Sequence, residues 1–130
     1  MAVRQQHRLI PHRPAPVLQP LDDGATASVT GQNGALIATI SRHSEPVGRP
    51  WELAGMPAGP GGLISVVVVD GDIDLDSAPL LERALLPAIA ARPWTCLDMR
   101  RTEFLGAAGI HVLIAAHRRA AGLGHRVVLR

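Results

Sequence analysis

The residues best spaced for chemistry lie mid-chain, where Asp70, Asp72, Asp74 and Asp76 alternate with Gly71, Ile73 and Leu75. Carboxylates at every second position share one side of an extended segment, an arrangement that suits a divalent cation or an acid–base pair. A calcium loop of the EF-hand kind also needs glycine at its sixth place and glutamate at its twelfth. Counted from Asp70 those places hold Leu75 and Leu81, and counted from Asp72 they hold Ser77 and Arg83. The acids therefore read as the close of a strand that approaches the positive end of the next helix.

The remaining reactive side chains form no constellation with a mechanism. His7, His12, His43, His111, His117 and His125 never take the HExxH spacing, and His111 and His117, six apart, fall on different faces of a helix. GxSxG, P-loop and GxGxxG patterns are missing, so neither a nucleophile elbow nor a nucleotide cradle has its backbone. The single cysteine, Cys96, excludes an intrachain disulfide framework and a cysteine-based zinc cluster. It alternates with Trp94 and Asp98 in an apolar segment and reads as a small buried hydrophobe. Arg100-Arg101 and His117-Arg118-Arg119 read as solvated faces, the latter well placed near a helix carboxyl end. No catalysis, metal or cofactor is implied.

The elements that must position these residues are legible from Leu63 onward. Leu63 to Val69 is a continuous run rich in β-branched residues between Gly62 and Gly71, the pattern of a strand buried on both faces. Ser77 before Ala78-Pro79 signals a helix start, its hydroxyl available to cap free amides and its proline tolerated in the first turn. That helix should reach about Ala91, with Leu81, Leu85 and Ala88 on its inner stripe and Pro87 as a kink or fray. Trp94 to Met99 is a second strand. Ala107 to Ala121 is a second helix with Ile110, Leu113, Ile114 and His117 along one side and Gly122 as its cap. Arg126 to Arg130 is a third strand. Strand, helix, strand, helix, strand is the pattern of βαβ crossovers, and the class is α/β.

The preceding half is less regular. Residues 1–26 are rich in proline and arginine and read as a disordered arm. Within residues 27–62, Ala27 to Thr30 and Ala35 to Ile40 flank a Gln32-Asn33-Gly34 turn, and a proline- and glycine-rich loop follows from Ser44 to Gly62. Residues 63–130 form the domain proper. All 13 basic residues are arginine and the net charge is only +2, with two tryptophans, one phenylalanine and no tyrosine. Neither a clustered phosphate footprint nor a base-stacking platform results, so nucleic acid is not an expected partner. No apolar run approaches the ~18 residues of a membrane span, and the first residues lack a secretory apolar core. A cytoplasmic protein is expected.

The turn Phe104-Leu105-Gly106-Ala107-Ala108-Gly109-Ile110-His111-Val112-Leu113, taken with Gly71-Asp72-Ile73-Asp74, Ser77-Ala78-Pro79 and Cys96-Leu97-Asp98-Met99, resembles the STAS family. Its single-domain bacterial members are anti-sigma factor antagonists. The resemblance covers about Leu63 to Arg130 and implies a small mixed β-sheet packed by helices, no catalysis and no cofactor. The family's last helix has no counterpart before Arg130. It also implies an anti-sigma factor of the serine kinase type as partner, gripped through Asp72, Asp74 and Asp76 on one loop and Gly106, Ala107, Ala108, Gly109, Ile110 and His111 on the other. Typical members read Asp-Ser-Ser/Ala-Gly at this turn, the first serine being phosphorylated to switch binding off. Here Gly106 stands at the aspartate position and Ala107 at the acceptor position, so the hydroxyl that carries the switch is missing. The alternative role is a degenerate relative acting as a homodimerising scaffold through an uncovered sheet face or edge.

Overall fold

The computed structural model describes residues 2–4, 19–46 and 62–130. Six strands form one mixed sheet in chain order: β1 (Ala2–Arg4), β2 (Thr26–Thr30), β3 (Leu36–Pro46), β4 (Leu63–Ile73), β5 (Trp94–Leu105) and β6 (Arg126–Leu129). Pairing is antiparallel from β1 to β4 and parallel from β4 to β6. Helix α1 (Ala78–Ala91) links β4 to β5, and α2 (Ala107–Leu123) links β5 to β6. Both crossovers step the same way across the sheet and such connections share one hand, so both helices lie on one face. The α/β class and mixed sheet expected from the sequence are what the chain adopts.

β4 is the central element, and its composition explains why. Val67, Val69 and Ile73 face the helices with no exposed surface, while Ile64 and Val66 are equally buried on the other face. Ser65, on the helix face, donates its hydroxyl to the Ala88 carbonyl at 2.9 Å, so its polar group is satisfied inside the core. Gly71 has φ of +113°, and a Cβ there would run into the Ile37 carbonyl of β3. Only glycine meets both demands, and the irregular β4–β5 register at this point carries the strand onward to Ile73.

The amino-terminal segment departs from the expected arm. Ala2–Arg4 pair with β2, and Leu21 is a core residue at 7% exposure. The cause lies in α1. Pro87 has no N–H to give the Arg83 carbonyl one turn back, and that carbonyl instead accepts the Leu21 amide at 2.9 Å. Arg83 Nε donates in turn to the Gln19 carbonyl, and Arg42 Nη1 donates to the Leu21 carbonyl at 2.9 Å. The expected kink site is thus a docking point, and α1 continues through it to Ala91. β3 reaches Pro46, so Ser44 to Pro46 are strand where a loop was expected, and residues 47–61 lie outside the described residues along with residues 5–18 of the arm.

Two further boundaries differ from expectation. β5 continues beyond Met99 to Leu105, because Arg101 to Leu105 still pair with Asp70 to Ile73 of β4. α2 ends at Gly124 rather than Gly122. Gly124 is left-handed at φ of +70°, and the His125 amide closes the end on the Ala120 carbonyl at 2.8 Å. α2 also turns a different face inward: Gly109, Val112, Ala116 and Ala120 are buried, and Ile110 and Ile114 are exposed. Small residues on the inner stripe let the helix sit close to the sheet and to α1, and that close approach decides the rotation.

On the helix-free face, Cys96 is fully buried, and its burial pushes the thiol up to about 11. Beside it Asp98, 5% exposed, accepts Arg100 through Nε at 3.1 Å and Nη2 at 2.8 Å, and Arg130 through Nη2 at 2.9 Å. Arg100, expected in a solvated face, is therefore engaged through its head group. The arginine hydrogen bonds outweigh burial and hold the Asp98 carboxyl down at about 2. A folded-state value below the unfolded one stabilises above the unfolded pKa, and the gain is lost as pH falls through the folded pKa. Asp98→Asn should therefore cost about 2 kcal/mol at neutral pH, and its stability curve should converge on that of the parent between about pH 4 and 2, as read by urea titration across pH.

Candidate functional site

Two loops meet where β4 and β5 end. The first, Asp74 to Ser77, is folded by its own side chains. Asp74 Oδ1 accepts the amides of Asp76 at 2.9 Å and Ser77 at 3.0 Å. The Ser77 hydroxyl, fully buried, donates to the Asp72 carbonyl at 2.7 Å and accepts the Asp74 amide at 2.9 Å. Ser77 occupies the N-cap of α1 but makes no side-chain cap bond. Its oxygen is turned back into the loop, so the capping expected of it is replaced by loop closure. Asp74 is likewise used as a loop acceptor, and among the described residues no three metal-ligating side chains converge.

The second loop is the β5–α2 turn. Gly106 is the N-cap of α2 in an extended conformation and brings no capping side chain. Its amide donates to the Ile73 carbonyl at 2.8 Å, which ties this turn to the end of β4, and its carbonyl receives the Ile110 amide at 3.1 Å. The amides of Ala107, Ala108 and Gly109 precede the first helical bond, so the positive end of α2 opens at this turn. Gly109 sits where space is smallest: a Cβ would lie 2.5 Å from Leu105 Cδ1 and 2.6 Å from Ile73 Cγ2.

Gly106 through His111 thus form one turn of strand end and helix start beside the loop that carries Asp74 and Asp76. Ala108 and His111 line a cleft of about 280 Å³ between the helices, together with Leu75 and Pro79. Asp72 is set apart as a strand residue, opposite Phe104 on β5. Ala107 and Ile110 are exposed. The sequence reading missed Leu75, 79% exposed between Asp74 and Asp76, and Phe104, 54% exposed beside Gly106. A leucine among alternating aspartates was the available signal, since such a residue either turns inward or is left outside. The site offers apolar side chains, helix amides and carboxylates on one surface, a composition suited to gripping a protein.

A sheet of this order with both helices on one face, and a glycine-tight turn at the start of the second, defines a class of small mixed-sheet α/β domain. The family model described as "Mlab, STAS domain" matches residues 62–130, more than half the chain, and the chain belongs to the STAS family. Among solved structures, the chain is 30% identical to an anti-sigma factor antagonist from Mycobacterium paratuberculosis, with a TM-score of 0.48, covering 70% of this chain and 68% of that one. It is 16% identical to the anti-sigma factor antagonist SpoIIAA in its unphosphorylated form, with a TM-score of 0.47, covering 68% of this chain and 71% of that one. It is 19% identical to Mglu, with a TM-score of 0.45, covering 51% of this chain and 17% of that one. No match was found among curated proteins.

Two glycines of α2 provide a paired test of the turn. Gly109→Ala should destabilise the fold by about 1–3 kcal/mol through overlap with Leu105 and Ile73. Gly122, around which a Cβ would meet nothing within 4 Å, should behave oppositely. Gly122→Ala should stabilise by about 0.5–1 kcal/mol through helix propensity alone, both values being read from urea denaturation.

Proposed function

We propose that this STAS domain is a binding module of the anti-sigma factor antagonist type, acting in the cytoplasm without catalysis to regulate transcription through sigma factor availability. The partner class is that named for the mycobacterial protein to which the chain is 30% identical over the 70% of its length that is matched. Its partner is an anti-sigma factor of the serine kinase type, and the contact surface comprises the Gly106–Gly109 turn, Ile110 and His111, and the loop bearing Asp72, Asp74 and Asp76. The observation that carries the reading is the exposed Ala107 at the uncapped start of α2, with Leu75, Phe104 and Ile110 exposed around the same turn. An apolar centre with a charged rim is the usual anatomy of such a contact.

Ala107 also sets the regulation. A phosphate on a hydroxyl at this position would bring about −2 charge to the centre of the apolar surface and alter the contact by electrostatics and desolvation. A methyl group cannot accept it, so binding differs between ATP and ADP only through the kinase's own nucleotide preference.

The test is calorimetric titration against purified anti-sigma kinases from the same genome, with ATP and with ADP, followed by mass spectrometry of the intact chain. Binding without phosphate on residues 104–113 is expected. The double variant Gly106→Asp, Ala107→Ser should gain a single phosphate and then bind more weakly. The new aspartate Cβ would approach Phe104 Cε2 to 3.1 Å, and that half-exposed ring has room to swing. A folded parent chain that captures none of the kinases, or is phosphorylated to completion and thereby released, would overturn the proposal.

A further inference from the structure

The far end of α2 borders a second surface, independent of the one above. β6 ends the sheet, and among the described residues no strand pairs with its outer side. The Arg126 amide donates to the Pro93 carbonyl at 2.9 Å, the Arg130 amide to the Leu97 carbonyl at 2.9 Å, and the Met99 amide to the Arg130 carbonyl at 2.8 Å. Backbone direction alternates along a strand, so residues 126, 128 and 130 bond to β5 while Val127 and Leu129 present their N–H and C=O groups outward. Leu129 is 66% exposed. Open edges are commonly shortened, charged or covered, because they invite another strand.

A cleft of about 410 Å³ runs along this edge. On the helix side it is lined by Ala120, Ala121 and Val127, and on the other side by Trp94, Arg126 and Val128. The two sides differ in chemistry. Small apolar groups line the first, beneath α2, bordered by His117 and by His125, whose Nδ1 is held on the Ile89 carbonyl at 2.7 Å. The second carries Arg126, whose guanidinium lies 5.8 Å from the Trp94 ring centre and is paired with no carboxylate among the described residues. No acidic residue lines the cleft.

We propose that the β6 edge binds an extended acidic segment of another protein, which adds as a seventh strand. Its backbone bonds to Val127 and Leu129. Its side chains alternate, apolar ones entering beneath α2 and carboxylates meeting Arg126 on the opposite face. Charge selects this occupant over a second copy of the chain. A second copy pairing through its own β6, Arg126–Leu129, would bring no carboxylate to Arg126, because that strand contains none.

The probe is the capped peptide acetyl-Val-Glu-Val-Glu-Val-amide, with its lysine counterpart and a version N-methylated on the central valine as controls. Amide hydrogen exchange of the full chain is followed by NMR at Val127 and Leu129. At glutamate peptide tenfold above its dissociation constant, both amides should exchange about tenfold more slowly. The lysine and N-methylated peptides should leave them unchanged, and the exposed-site variant Arg126→Glu should reverse the preference in favour of lysine. The proposal is overturned if the glutamate peptide gives no slowing, if glutamate and lysine peptides protect equally, or if N-methylation makes no difference. Protection that grows with protein concentration alone would assign the edge to a homodimer and overturn it as well. The peptide comparisons on the unaltered chain decide the matter even if the Arg126 variant fails to fold.

Discussion

Everything at the candidate-site end of this domain depends on the contact between Gly109 and Ile73. With no side chain at position 109, the first turn of α2 lies directly on Ile73 and Leu105, closer than any Cβ allows. The Gly106 amide then reaches the Ile73 carbonyl at 2.8 Å, and the β5–α2 turn is locked to the end of β4. Because β4 is buried on both faces, its end cannot shift without disturbing the whole core. The surface of the turn is thereby fixed by the least yielding element of the fold.

The same contact explains what could be read from the sequence and what could not. Strands and helices from Leu63 onward follow from the β-branched run of β4 and the 3.6-residue period of α1, where Leu81, Leu85 and Ala88 are fully buried as their spacing requires. The rotation of α2 did not follow. Large apolar residues normally mark the inner face, yet here Gly109, Ala116 and Ala120 hold that face and Ile110 and Ile114 are left outside. Hydrophobicity ranks isoleucine above alanine, whereas close approach of the helix to the sheet and α1 ranks them the other way. Only tertiary spacing decides between the two, and it is not written in any one segment.

Pro87 gives a second case of long-range compensation. Local rules count it as a defect in α1, since it strips the Arg83 carbonyl of its helical donor. The chain supplies the missing donor from Leu21, 62 positions earlier in sequence, and buries that leucine in the core. Nothing in the composition around residue 21 announces this, because the demand originates in another element. A residue read as part of a tail is thus a core residue by virtue of a proline far along the chain.

α2 consequently joins two surfaces of unlike character. At its amino end the helix amides and the exposed Ala107, Ile110 and Leu75 lie beside the aspartate loop, so apolar contact dominates and negative charge surrounds it. At its carboxyl end small side chains overhang an open strand edge flanked by Arg126, and backbone bonding dominates there. On the two proposals above, a partner at the first surface would be selected by shape and apolar complementarity and one at the second by strand register and charge. The inner stripe of α2 is buried from Gly109 to Ala120, so both ends of the helix rest on the same core.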